Sequence, residues 1–161
     1  MCSIIQRLGP LCLVLLCFAA VPLAALANPA SVAPGWNNEK IDWRDYDHGV
    51  AEAARTGKPI IVVAHTTWCP HCGKYKLVFQ DAAVVAASKQ FVMILLDRDL
   101  ETALNKQLGP NQTVFVPRTL FLASNATLRA DMTGSNKGYP NWIDNSGPKE
   151  LLRLMAAATK P

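Results

Sequence analysis

Two cysteines separated by two residues, in Trp68-Cys69-Pro70-His71-Cys72, are the part of this chain best suited to covalent chemistry. An apolar run precedes them and a helical pattern follows, so Cys69 is expected where a strand ends and a helix begins. Pro70 suits the first helical turn, where its missing N–H costs nothing. A thiol at that point faces unpaired backbone N–H groups and the positive end of the helix dipole, and both favour the thiolate. His71, when charged, adds to this. The thiolate is the form that attacks disulfides, so Cys69 is the expected nucleophile. Cys72 lies three positions along on the same side of the helix. It can close a ring by attacking a mixed disulfide formed at Cys69.

Two other readings are weaker. A structural disulfide across four residues would remove little chain entropy, about 2 kcal/mol. A closed zinc site needs four ligands, and one C-x-x-C supplies two. His65 and His71 are near in sequence, but His71 sits between the cysteines and points off their shared face. No metal and no bound cofactor are therefore expected; an active dithiol needs neither.

The elements that must hold this pair can be read from pattern. Asp45 caps a helix to Thr56, with Gly57 at its C-terminal end. Ile60 to Ala64 is a continuous, largely β-branched run, expected as a strand covered on both faces. A helix carries Tyr75, Val78 and Phe79, and a second helical piece follows Asp81 to about Ser88. Phe91 to Leu96 is the next buried strand, completing a right-handed βαβ unit. A polar helical piece spans about Leu100 to Leu108. Thr119–Leu122 and Thr127–Ala130 read as a hairpin around Ser124-Asn125. Asp131 to Gly147 is a long polar loop, and about Pro148 to Ala158 is a last helix that Ser146 could cap. Trp68 is expected to shield the sulfur pair and touch substrate.

The 161 residues carry a net charge of +4 with 17% charged residues, which suits one packed domain and excludes disorder over most of it. No basic stripe indicates nucleic-acid binding. The other three cysteines, Cys2, Cys12 and Cys17, fall in residues 1–27, which read as a signal peptide: Arg7, then an apolar stretch from Leu11 to Leu26, then the small-residue site ending at Ala27. That stretch is 16 residues, short of the roughly 18 or more that a membrane-spanning helix needs, so no membrane attachment is expected after cleavage. Residues 28–40, with Pro29, Pro34 and Gly35, read as a flexible linker, and 41–161 as the folded domain. Two glycosylation sequons start at Asn111 and Asn125.

Trp68-Cys69-x-x-Cys72 between a β-branched strand and a helix, with Val116-Pro117-Arg118 before a later strand, resembles the thioredoxin superfamily. Ile41-Asp42-Trp43-Arg44, Gly57-Lys58-Pro59, His65-x-x-Trp68-Cys69, Phe91-Val92-Met93 and Pro117-Arg118-x-Leu120-Phe121-Leu122 are similar to one branch. That branch holds the small endoplasmic-reticulum proteins of the thioredoxin domain-containing protein 12 and anterior gradient type. The resemblance implies an α/β thioredoxin-like fold with a central mixed four-stranded sheet flanked by helices. It also implies a cis Pro117, and Val116 and Pro117 offering backbone groups to an extended substrate peptide. The implied activity is protein-disulfide reductase, oxidase or isomerase. Its partners would be client proteins with thiols or disulfides, and glutathione or an upstream thiol oxidase would recycle the dithiol.

Departures from the superfamily pattern bear on mechanism. Thioredoxins carry a buried acid six residues before the first cysteine, where this chain has Val63. That leaves water, Lys76 or His65 as proton acceptor for Cys72. Pro70-His71, shared with a bacterial periplasmic oxidase, argues for the oxidising half of the superfamily range. The expected location is the secretory pathway, either the endoplasmic-reticulum lumen or outside the cell, or the periplasm in a bacterium; the chain ends without a KDEL-type signal, which favours secretion over retention. The rival reading is a non-catalytic client-binding or secreted signalling module. Such relatives often lack the second cysteine, which is present here.

Overall fold

The computed structural model describes residues 33–109 and 115–160. The expected signal peptide, the first residues of the expected linker and the Asn111 sequon lie outside the described residues. The elements are β1 (Trp43–Arg44), α1 (Tyr46–Thr56), β2 (Ile60–His65), α2 (Pro70–Val78), α3 (Ala82–Ser88), β3 (Val92–Asp97), α4 (Thr102–Gln107), β4 (Arg118–Leu122) and α5 (Lys149–Ala158).

The two apolar runs become the centre of the sheet because both of their faces can be covered. β2 and β3 pair in parallel from Ile60↔Val92 to His65↔Asp97. β1 joins the other side of β3 in parallel, and β4 joins β2 antiparallel, with Ala64 opposite Arg118. The order is β1-β3-β2-β4, a mixed four-stranded sheet. Side chains alternate across it. Ile61, Val63, Met93, Leu95 and Phe121 pack in one layer with Tyr75, Val78 and Phe79 of the α2 region, Val84 of α3 and Leu151, Leu154 and Met155 of α5. Ile60, Val62, Val92, Ile94, Leu120 and Leu122 pack in the other with Ala53, Val50 and Tyr46 of α1 and Leu104 of α4.

The caps of α1 are those the sequence indicated. Asp45 accepts from the His48 N–H at 2.9 Å. Gly57, at φ 72°, donates to the Ala53 carbonyl at 2.8 Å. Gly49, inside α1, lets the helix lie close on β3. A Cβ there would stand 2.5 Å from both Cγ1 and Cδ1 of the fully buried Ile94. A Gly49→Ala change would gain up to about 1 kcal/mol of helix propensity, but overpacking costs about 1–3 kcal/mol. The expected net result is a loss of up to about 2 kcal/mol, read as a lower urea midpoint at unchanged slope.

Three expectations are corrected. Thr127–Ala130 is not a strand. Only Leu128 bridges to Leu122, because a tight turn joins Ala123 and Thr127, and a further turn closes from Met132 N–H to the Arg129 carbonyl at 3.0 Å. The fourth strand is β1 instead. Ser146 does not cap α5; its hydroxyl donates to Asp144 at 2.7 Å, while Pro148 takes the cap position. Residues 33–40, read as flexible linker, form a packed strap. Trp36 is 0% exposed, and its ring meets Trp43, His65, Tyr75 and Phe79 at centroid distances of 5.2–6.4 Å. The strap is tied down by Asn37 donating to the Phe79 carbonyl at 2.8 Å and by Lys76 donating to the Pro34 carbonyl at 2.8 Å.

Candidate functional site

β2 ends at His65, and four residues later Cys69 is the N-cap of α2, with Pro70 in the first turn. The capping makes the sulfur part of the helix terminus. Cys69 Sγ accepts from the backbone N–H of Cys72 at 3.2 Å, so a donor left over by the helix start is aimed at the atom that would carry charge. Both cysteines are free thiols, Cys69 7% and Cys72 1% exposed. They differ in kind. Burial, followed by the hydrogen bond with Cys69, pushes the Cys72 thiol up to about 12. At pH 8 that leaves about one Cys72 in ten thousand as thiolate. Iodoacetamide at pH 8 should therefore add once to the reduced native protein, at Cys69. A second adduct should follow only on unfolding, and peptide mass spectrometry locates both.

Val116–Pro117 is a cis peptide, as the resemblance implied. The segment comes against the dithiol: the Cys69 thiol donates to the Val116 carbonyl at 3.5 Å. Two long-range contacts hold this loop from behind. Arg118, fully buried at the start of β4, donates to the Asn105 backbone carbonyl and to its side-chain oxygen, each at 2.7 Å. Thr119 donates its N–H to the Asn141 carbonyl at 2.9 Å.

The flanking residues are placed differently from one another. Trp68 is 62% exposed beside Cys69. Its indole N–H donates to Asp99 at 2.7 Å, and Arg98 lies over the ring at 5.1 Å. The Trp68 hydrogen bond, then that from Arg98, holds the Asp99 carboxyl below its usual range. Pro70 is exposed at the helix start. His71 is also exposed, and its ring packs edge-on against Trp142 at 5.1 Å while its carbonyl accepts from Asn145 at 3.4 Å. Trp68, Cys69, Cys72, Val116 and Pro117 thus share one end of the sheet, and His71 stands at its rim with the loop after β4. Asp99, Arg98, Asn105, Trp142 and Trp36 were not indicated by the sequence, since each acts across the fold with no spacing signal. Among the described residues there is no group of three or more His, Cys, Asp or Glu placed to hold a metal ion.

Residues 42–124 match the family described as thioredoxin-like, which is the segment from β1 to the end of β4. The chain belongs to the thioredoxin-like family. Within this family it falls on the anterior gradient branch. It is 34% identical to anterior gradient protein 3 of Xenopus tropicalis over 116 residues, covering 69% of this chain and 68% of that protein. It is 32% identical to anterior gradient protein 3 of Mus musculus over 137 residues, covering 79% and 80%. The thioredoxin-like fold is also that of a disulphide isomerase from Xylella fastidiosa, with TM-score 0.59 at 18% identity, covering 85% of this chain and all of that one. A thioredoxin from Thermus thermophilus matches with TM-score 0.59 at 18% identity, covering 73% and 86%.

Proposed function

We propose that this thioredoxin-like protein is a thiol–disulfide oxidoreductase acting on protein disulfides in the secretory pathway. Cys69 is the nucleophile and Cys72 the resolving thiol. In the reducing direction, the Cys69 thiolate attacks a client disulfide, a Cys69–client bond forms, and one client sulfur leaves as thiolate and takes a proton. Cys72 then gives up its proton and attacks Cys69 Sγ. The Cys69–Cys72 bond forms and the second client sulfur leaves. The client gains two electrons and two protons, and the dithiol becomes a disulfide; oxidation of a client is the same sequence reversed. Glutathione or an upstream thiol oxidase would reset the pair.

The observation that carries this reading is the Cys69 sulfur capping α2, under the Cys72 N–H at 3.2 Å and against the Val116 carbonyl at 3.5 Å. A client strand laid along Val116 and Pro117 would meet that sulfur with backbone groups already oriented, in the manner of strand addition. Trp68, pinned by Asp99, and Pro70 and His71 at the helix start are the groups that would border the client and tune the thiolate. The secretory location is supported by the leader-like residues 1–27. The test is turnover: the pre-reduced protein should accelerate insulin precipitation by dithiothreitol, and the pre-oxidised protein should restore activity to reduced ribonuclease. Inertness in both assays overturns the reading.

A further inference from the structure

Resolution needs a proton acceptor for Cys72, and the position that holds a buried acid in thioredoxins is Val63. Among the described residues the buried polar side chains are His65, Thr66, Ser88, Asn105, Arg118, Thr119 and Asn141. None is a carboxylate, and only an imidazole can take and return a proton near neutrality. Lys76 is committed as a donor, to the Pro34 carbonyl at 2.8 Å with its ammonium 5.7 Å over the Trp36 ring.

We infer that His65 is the base that receives the Cys72 proton when the mixed disulfide at Cys69 is resolved. This rests on the proposed oxidoreductase reading. His65 is the last residue of β2 and shares the strand face of Ile61 and Val63, which line the layer that contains Cys72. It is 2% exposed, and its ring lies 5.2 Å from that of Trp36. Its Nδ1 has no hydrogen-bond partner among the described residues. A buried ring nitrogen without a partner is costly, and a role in proton transfer is one reason to keep it. The backbone of the next residue, Thr66, acts on the Cys72 thiol, and its buried hydroxyl has no hydrogen-bond partner among the described residues. A hydroxyl can accept one proton as it gives another, so Thr66 is the group that would relay the proton between the thiol and the imidazole. Burial lowers the His65 imidazole from its ordinary value, so the ring is neutral and able to accept at pH 7. The charged groups acting on it are Asp97, its register partner on β3, and Lys76 on α2. The same Lys76 charge favours the Cys72 thiolate. In the step, the Cys72 S–H bond breaks, its proton passes to His65, Cys72 Sγ bonds to Cys69 Sγ, and the client sulfur leaves with the bonding pair. The imidazolium then returns the proton to that thiolate or to water.

The test follows a single turnover. Cys69 is loaded with thionitrobenzoate, and release of the coloured thiolate by Cys72 is timed from pH 5 to 9. With His65 as base, the wild-type rate rises through an inflection below 6.5 and then levels off, and it slows about twofold in deuterium oxide. His65→Asn and His65→Gln should slow release at pH 7 at least tenfold and replace the plateau by a steady rise, about tenfold per pH unit, as bare thiolate takes over. Loading of Cys69 should stay within twofold in both variants, which also reports that they are folded. A wild-type rate that climbs through neutrality without a plateau overturns the inference with no variant needed, and so does a variant with the wild-type profile. A protein in which Cys69 cannot be loaded and exchanged at all would instead defeat the oxidoreductase reading.

Discussion

Replacing Cys69 with serine is expected to bring insulin reduction down to the uncatalysed background, a loss of about a thousandfold or more, while leaving stability nearly unchanged. A hydroxyl at this position is not deprotonated near neutrality and is a poor nucleophile, whereas the capped sulfur is aimed at incoming disulfides. Cys72→Ala should behave differently. Its backbone N–H still points at Cys69 Sγ, because that donor belongs to the main chain. The first attack therefore survives and the intramolecular escape does not. Turnover should fall to a similar floor, with covalent complexes accumulating between Cys69 and client proteins. On non-reducing gels these complexes appear as high-mass bands that dithiothreitol collapses. A Cys69→Ser/Cys72→Ala double variant should show none of them. Bands that persist in the double variant, or a Cys72→Ala protein that still turns over, would contradict the division of labour between the two sulfurs. The same pair of variants separates catalysis from client binding. A binding module would hold its clients equally well without either thiol.

The sequence carried the dithiol, the two central strands and the caps of α1 because each is a local signal. Residues 60–64 and 92–96 are apolar on both faces, which marks strands inside a sheet. Asp45 and Gly57 mark helix ends by side-chain oxygen and by φ. β1 escaped because a strand of only Trp43 and Arg44 is too short to show a period. Thr127–Ala130 misled because turn chemistry at Ser124-Asn125 is real, while the second arm keeps only the Leu128 bridge before Arg129 turns to pair with Asp131 at 2.8 Å. The site divides in the same way. Cys69 and Cys72 are set by spacing along one helix. Val116 and Pro117 reached the site through resemblance alone. The contacts that brace the site, Arg118 to Asn105, Trp68 to Asp99 and His71 to Trp142, join residues 13, 31 and more than 70 positions apart, and no pattern along the chain reports such pairs.

Trp36 is where local reading and packing diverge most, and it is the second residue whose loss should be large. Pro34, Gly35 and Asn37 around it are turn formers, and Gly35 and Asn37 do have positive φ, so the backbone is correctly read as non-helical. The single indole among them nevertheless decides the fate of the segment. It enters the layer between the sheet and α2, where Tyr75 and Phe79 also meet each other edge-on at 5.2 Å. Truncating a fully buried Trp costs about 3–5 kcal/mol, from lost transfer energy and the cavity left behind. Trp36→Ala should therefore lower the unfolding midpoint by about 10–20 °C in a chain of this size. Trp36→Phe keeps much of the ring volume and sheds an indole N–H that has no partner among the described residues, so it should cost less than half as much. The damage should also reach the chemistry. Trp36, Tyr75 and Cys72 belong to the same buried layer, and burial is the leading cause of the high proton affinity of Cys72. With the indole gone, that layer should admit water and the Cys72 thiol should ionise more readily. Under the conditions that give a single adduct in the wild type, native Trp36→Ala protein should take iodoacetamide at both cysteines. A variant that unfolds within about 1 kcal/mol of wild type, or one that still protects Cys72, would show that the strap is only laid over the domain rather than built into it.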